Sequence, residues 1–547
     1  MSLSSFFLLT FEHEKSEVYD AGLNYLVSMH VGVVFLIIGF ILLSQSSGSF
    51  DFSSFKAALN KGQLSVFTVF VIFFIGFGMK AGFVPLHTWL PRAHPAAPSH
   101  ISGIMSGIMI KTGIYGIFRV ITFIDSPLPE IGYFVLIISL VSGLLGVAYA
   151  IAQHNLKKLL AYHSVENIGI IGIGAGLLGL SYHNTPMALL GFSGAILHVL
   201  NHAVFKSLLF YAAGIVYHQT HTVDIERLGG LGKHIPFAAA AFLTGAVAIS
   251  GLPPLNGFIS EFFIYMGMFK GLQSGMFLSV SLSLTISGLA FIGAMAMLCF
   301  TKAFGVVFLG SPRSHYPNTV FNAGISIKAA MTIQCLMIVG IGLFPAQVFS
   351  VIVRIASQFV EIGNYSLGPT LQMLGNLSKG FFIFLTITAL LWMLRVFMLR
   401  KAGVYAEDNL CKLSFLKKLS LSKYRYKTWD CGYQAGNVRM QYTASSYAAP
   451  FIGIIKPVLD YKEQIVYPSA SAYRETPKKA GTCLFPVSGS FESRTQDRIE
   501  TCIIAPVISL IIRFLNLFSW IQSGNIQQYI LYGLIFLTAV TLWIMGV

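Results

Sequence analysis

Lys80 and Lys111 each lie inside an apolar run long enough to cross a bilayer. The runs are VFTVFVIFFIGFGMKAGF and HISGIMSGIMIKTGIYGIF. An ammonium group in hydrocarbon costs roughly 2.5–3.5 kcal/mol on insertion scales, and it persists where it lines a polar path or meets a partner. Lysine is also the cation that most readily gives up its proton on burial, so a buried lysine can exchange protons near neutral pH. The plainer reading is snorkelling to an interface, and it applies best to Lys80, which lies a few residues before Pro85.

A third group of titratable residues has a helical period. His198, His202 and Lys206 fall at i, i+4 and i+8 of one apolar segment, which puts them on one helix face. Such a stripe, with neighbours about one turn apart, is what a proton relay requires. Interhelical hydrogen bonding without transport is the plainer alternative. A metal site would want a further carboxylate or an H-E-x-x-H pattern, and none accompanies the pair. Glu261 follows a Gly-Pro-rich interruption and precedes the apolar FFIYMGMF, and Lys302 sits in LCFTKAFGVVF. Glu166, in HSVENIGII, reads as an interfacial residue near the start of a helix, where a carboxylate suits the positive dipole end. Lys157 and Lys158 read as lysines at the membrane edge.

Lys80, Lys111, the His198/His202/Lys206 stripe, Glu261 and Lys302 are spread over five segments. A substrate transporter would gather such groups at one site. A distributed row suits stepwise proton movement across the protein.

The elements that must carry these residues are membrane helices. Of 547 residues, 55% are hydrophobic and 10% are charged, against about 25% charged in soluble domains. The mean hydropathy is +0.72. Apolar segments recur at about 21–43, 63–84, 101–124, 131–152, 162–181, 187–217, 235–252, 256–271, 276–309, 328–348, 379–400 and 525–546, about twelve in all. Two interruptions stand out. The one from Leu90 to Pro98 reads as an ordinary interhelical turn. The one from Gly251 to Gly257 reads as a break in a membrane helix, of the kind that points to an ion path.

Residues 401–500 form a polar stretch that holds much of the net charge of +15. The positive-inside rule puts it in the cytoplasm, so the charge is not a nucleic-acid footprint. Trp429, Cys431, Tyr433, Arg439 and Tyr442 are candidates for a docking or packing surface there. The apolar stretch near 503–520 reads as a lateral, interfacial helix. The organisation expected is therefore a helical bundle over 1–400, a polar region over 401–500, and a lateral helix with a final span over 501–547. Six cysteines include no C-x-x-C pair, and no dinucleotide or P-loop fingerprint sits where a strand could present it. No catalytic residue, metal ligand set or cofactor site is expected in this chain, so redox chemistry would belong to another subunit.

The segment Lys80-Ala-Gly-Phe-Val-Pro-Leu-His-Thr-Trp-Leu-Pro-Arg-Ala-His94 resembles the signature of antiporter-like subunits of respiratory complex I and related assemblies. The resemblance implies an all-α polytopic membrane protein, an antiporter-like helical bundle with discontinuous helices. It also implies proton-handling roles for Lys80, Lys111, His198, His202 and Lys206, and a terminal carboxylate at Glu261. Lys157 and Lys158 correspond to a basic pair before a discontinuous helix.

LPRAHPAAPSH, with Arg92 where the respiratory enzyme usually has aspartate, and TWDCGYQAGNVRMQYTASSYAAPF resemble the large membrane subunit of [NiFe] hydrogenases of the formate hydrogenlyase and hydrogenase-4 type. That implies other membrane subunits, a hydrophilic [NiFe] and iron–sulfur arm, and the bacterial inner membrane. The alternatives are an antiporter-like subunit of an NADH–quinone oxidoreductase, a subunit of a multisubunit Na⁺/H⁺ antiporter, or a purely structural anchor. In the family a glutamate on an earlier helix pairs with the lysine at position 80. The half-length apolar start MSLSSFFLLTF lies just beyond where that glutamate would be. The expectation is a chain begun at an internal methionine or a fragmented gene, against which a native mass of 59.8 kDa would speak.

Overall fold

In the computed structural model, the described residues are 2–60, 64–124, 128–180, 185–314, 316, 321, 323–360, 365–401, 440–466, 490–519, 524 and 526–545. The chain forms two compact units, Met1–Lys456 and Pro457–Val547.

The first unit is helical. It runs through α1 (Ser2–Leu9), α2 (Ser16–Ser47), α3 (Phe52–Asn60), α4 (Val66–Ala81), α5 (Leu90–Ala96) and α6 (Ser99–Ile104). Five π-helical residues, Met105–Met109, lead into α7 (Ile110–Ile121). Then follow α8 (Pro129–Ile151), α9 (Leu156–Gly179), α10 (Thr185–Thr220), α11 (Pro236–Ile249), α12 (Asn256–Gly271) and α13 (Met276–Phe308). The unit closes with α14 (Ile325–Leu343), α15 (Pro345–Ala356), α16 (Gly368–Lys401) and α17 (Ala444–Ile455). Among the described residues, seven helices are long and apolar enough to span a bilayer, and shorter apolar helices accompany them.

Burial separates the axis from the rim. The apolar window of α10 is 78% buried and that of α16 is 6% buried. α10 is therefore a central element, and α16 presents its apolar surface outward. α9 is buried along nearly its whole length between α8 and α10. Small residues set the closest helix approaches. At Gly113, for example, an added Cβ would lie 2.5 Å from the Phe77 carbonyl oxygen, so only glycine lets α7 lie this close to α4.

The Gly251–Gly257 interruption does break a helix. α11 has 14 residues and α12 has 16, about 21–24 Å each at 1.5 Å per residue, and neither reaches the roughly 30 Å of the hydrocarbon core. Gly251 sits at φ 62°, a backbone state that glycine enters freely.

The Leu90–Pro98 interruption differs from the expected turn. Leu90–Ala96 is a helical segment with Leu90, Pro91, Ala93 and His94 buried. The α9 boundary also differs. The hydropathy pattern suggested a start near 162, but the helix begins at Leu156, where the Asn155 side chain accepts from the Lys158 N–H at 3.0 Å. Glu166 is thus the eleventh residue of a buried helix and is 1% exposed, which corrects its reading as an interfacial helix-start residue.

Trp429, Cys431, Tyr433 and Arg439, and most of 401–500, lie outside the described residues. Within the described part, α17 starts at a capping box between Thr443 and Ser446 and buries Ala444, Ala448 and Ile452. It packs on α13, α8 and the turn Ile225–Arg227.

The second unit holds an antiparallel pair, β1 (Asp460–Val466) and β2 (Ser490–Gln496), in the register Asp460 to Gln496. α18 (Ala505–Asn516) and α19 (Ile526–Met545) follow, and no residue of α18 is buried. α18 lies within the 503–520 stretch.

Candidate functional site: a buried row of ionisable side chains

Lys111 is 8% exposed and Lys206 is 0% exposed. Each reaches a backbone carbonyl. Lys111 Nζ donates to the carbonyl of Ser106, inside the π-helical segment, and Lys206 Nζ donates to the carbonyl of Leu160 on α9. A π turn displaces the usual ladder and so frees carbonyl capacity for a side chain, which is where such turns are often used.

Two hydroxyls lie between these ends, and one of them shares the Leu160 carbonyl with Lys206. Ser106 Oγ and Ser164 Oγ are 2.9 Å apart, and Ser164 Oγ donates to the Leu160 carbonyl at 3.2 Å. Both serines are 0% exposed. Sequence reasoning missed this pair, because the two residues are 58 positions apart and neither carries charge.

His202 is fully buried, and the ionisable groups acting on it are Lys111, Lys206, His198 and His94. Neither ring nitrogen of His202 or of His94 has a hydrogen-bond partner among the described residues. His94 stacks on Phe210 at 4.8 Å. Buried imidazoles ordinarily find partners, so two such rings, each acted on by Lys111 and Lys206, mark a cluster of titratable groups in the interior. His94 was visible in the sequence only as part of a motif. The buried α5 segment is what brings it to the axis.

His198 is held on both sides. Its Nε2 lies 3.1 Å from Asn167 Oδ1, and its Nδ1 lies 2.9 Å from Ser260 Oγ. Asn167 Nδ2 donates to the His163 carbonyl at 2.7 Å, so its oxygen faces the histidine. Ser260 Oγ also contacts the Gly257 carbonyl at 3.0 Å and accepts from Asn201 Nδ2 at 2.9 Å.

This geometry serves two protonation states. In neutral His198, Nε2–H donates to Asn167 and the single Ser260 hydrogen goes to Nδ1. In the imidazolium, Nδ1–H donates to Ser260, and the serine turns its hydrogen to Gly257. A proton can therefore arrive or leave with one hydroxyl rotation.

Glu166 and His163 pair directly through Oε2 and Nδ1, both out of contact with solvent. Lys206 acts electrostatically on Glu166, and Glu166 on Glu261. Glu261 lies on α12 just past the broken segment, where Gly251 packs against its carboxyl group. A Cβ at Gly251 would stand 2.7 Å from Glu261 Oε2.

The structure thus brings together Lys111, His198, His202, Lys206 and Glu261, and it adds Glu166, His163, His94, Ser106 and Ser164. Two residues stand apart. Lys80 is half-buried in the last turn of α4, where Nζ donates to Ser2 Oγ at 3.1 Å and to Tyr25 OH at 3.3 Å. Lys302 is fully buried on α13, and its Nζ donates to the Ile151 carbonyl and, at 3.0 Å, to the Gln153 carbonyl. It closes the C-terminal end of α8, where carbonyls lack helical partners.

Residues 1–290 match the family described as NADH:quinone oxidoreductase/Mrp antiporter, transmembrane region. Hydrogenase-4 component B of Escherichia coli K12 is 34% identical over 539 residues, which covers 97% of this chain and 77% of that protein. The chain belongs to the NADH:quinone oxidoreductase/Mrp antiporter family.

Within this family, formate hydrogenlyase subunit 3 of Escherichia coli K12 is 39% identical over 287 residues, 52% of this chain and 47% of that protein. The fold agrees with that of a chain of the membrane-bound sulfane sulfur reductase, an archaeal respiratory membrane complex. That match has a TM-score of 0.56 at 22% identity and covers 66% of this chain and 70% of the other. A chain of the Mrp complex from Dietzia sp. DQ12-45-1b has a TM-score of 0.54 at 19% identity, with 65% of this chain and 70% of the other covered. The protein is an integral membrane protein, and its antiporter-like helical bundle is the fold of this family.

Proposed function

We propose that this chain is the proton-translocating membrane subunit of a membrane-bound hydrogenase of the formate hydrogenlyase or hydrogenase-4 kind. It works in the bacterial inner membrane, beside other membrane subunits and a hydrophilic [NiFe] and iron–sulfur arm. The likeness to hydrogenase-4 component B over 97% of the chain supports the choice of complex.

The observation that carries the chemistry is the gathering of buried titratable groups, with Lys111 and Lys206 acting on His202, His198 held between Asn167 and Ser260, and Glu166 acting on Glu261. Each of these titratable groups can hold or pass a proton, and they are distributed over α7, α9, α10 and α12. Lys80 and Lys302, which stand apart from that cluster, are outlying members of the proton path. Electron transfer in the arm, which would carry the redox centres, drives the changes that move protons between these groups.

Mild detergent extraction of the native complex followed by mass spectrometry of every subunit tests the assembly. Co-purification of a [NiFe] large subunit with iron–sulfur partners is expected. Recovery of NADH- or quinone-linked subunits, or of small antiporter subunits alone, would move the chain to another complex of the same family.

A further inference from the structure

Lys302 is buried, yet its surroundings lead to water within a few residues. The loop after α8 lies against the segment before the turn Ile225–Arg227. Asn155 and Asp224 form a β-bridge, Leu156 N–H donates to the Val223 carbonyl at 2.9 Å, and Ile225 N–H donates to the His154 carbonyl at 2.8 Å. This pairing brings His154 Nδ1 to 3.5 Å from Glu226 Oε1, with side chains 23% and 28% exposed. Lys302 holds the carbonyls of Ile151 and Gln153, the latter adjacent to His154 in the chain.

The Glu226 carboxylate is fixed from its other side. Ser445 N–H donates to it at 2.6 Å and Ala444 N–H at 3.3 Å, and the Ser445 hydroxyl donates as well. These are first-turn donors of α17, and a helix N-terminus favours an anion. The 440–456 segment therefore sets the position of a carboxylate beside the loop that Lys302 caps.

We infer that His154 and Glu226 form the aqueous end of the proton path, exchanging protons between Lys302 and water. The inference rests on the proposed proton translocation. The step is a balanced proton transfer. The Lys302 ammonium has three N–H bonds, and two go to the Ile151 and Gln153 carbonyls. The third proton passes to neutral His154, and the amine keeps two N–H bonds for the same carbonyls. The imidazolium, paired with Glu226, then releases its proton to water.

The groups acting on His154 are Lys302 from α13, and Glu226 and Asp224 from the facing turn. Burial and then Lys302 push the His154 imidazole below its ordinary value of 6.5, while Glu226 and Asp224 pull it back. Cys299 and Glu226 act on Lys302 in turn.

The test uses the whole complex in sealed inverted vesicles, with proton movement measured against pH in the Glu226→Gln, His154→Gln and Lys206→Met variants. His154 accepts a proton only when neutral, so the rate rises with pH through its titration. Removing the Glu226 charge should move this acid limb down by about one pH unit, the low end for loss of a close opposite charge. His154→Gln should abolish the limb and most of the movement. Glutamine at 226 keeps an oxygen for the α17 donors. Should that variant not assemble, His154→Gln, which removes no cap of α17, carries the test alone. Profiles superimposed on the parent, with movement lost in Lys206→Met, would overturn this inference and leave the proposed function standing. Movement retained in Lys206→Met as well would mean that the proposed function itself had failed.

Discussion

Removing Ser106 and Ser164 singly and together should give strongly non-additive effects. Their hydroxyls are 2.9 Å apart and fully buried. A neutral hydrogen bond contributes about 1 kcal/mol net, while one buried hydroxyl left without a partner costs about 1–3 kcal/mol. The two single variants are not equivalent. In Ser106→Ala, the Ser164 hydroxyl keeps its bond to the Leu160 carbonyl at 3.2 Å, so the loss should be about 1 kcal/mol. In Ser164→Ala, the Ser106 hydroxyl loses the partner that defines it, and the loss should approach 2–3 kcal/mol. The double variant leaves no orphan, so it should cost less than the sum by about 1 kcal/mol or more.

Thermal unfolding of the purified complex, followed by tryptophan fluorescence, reads the order of the four proteins. Proton movement in vesicles reads the relay. Each single variant should slow it, and the double variant should be no slower than the worse single one, because one interrupted step cannot be interrupted twice. Additive stability losses, a larger loss in Ser106→Ala than in Ser164→Ala, or undiminished proton movement in all three variants would refute the hydroxyl link.

Gly251→Ala should cost about 1–2 kcal/mol, because an L side chain at φ 62° is strained, and its methyl would displace the Glu261 carboxyl group. The check is reduced proton movement together with a lowered unfolding temperature. Gly113→Ala should destabilise by about 1–3 kcal/mol through overpacking against the Phe77 carbonyl, seen as a lower unfolding temperature with α4 and α7 forced apart. Stability should also depend on pH through His154. Its imidazole lies below 6.5 in the folded chain, so the unfolded chain binds the proton first and stability falls as pH drops below that value. His154→Gln should flatten that slope and Glu226→Gln should steepen it, both measured as unfolding temperature against pH.

The spans and the main ionisable residues were legible because a bilayer imposes a simple rule of long apolar runs, against which a lysine or a histidine stripe stands out. The stripe of His198, His202 and Lys206 needed only helical periodicity. Glu166 was misplaced because Lys157 and Lys158 at the start of α9 read as solvent-edge residues. In the fold Lys157 is buried and donates to the Ala97 carbonyl at 2.9 Å, so the helix begins earlier than its hydropathy suggests. The Ser106–Ser164 pair, the approach of His94 to the axis, and the contact of Glu226 with both His154 and α17 join residues tens to hundreds of positions apart. Local pattern carries no record of such pairings. The π-helical residues Met105–Met109 likewise have ordinary helical composition, and only packing displaces their ladder.

Proton movement by the intact complex carrying Lys206→Met tests the central claim most directly. Methionine has nearly the same volume, and the Leu160 carbonyl that Lys206 contacts keeps the Ser164 hydroxyl as a donor at 3.2 Å. The variant complex should assemble and keep hydrogenase turnover with an artificial electron acceptor, yet move no protons across sealed vesicles. Proton movement equal to that of the parent complex would contradict the account.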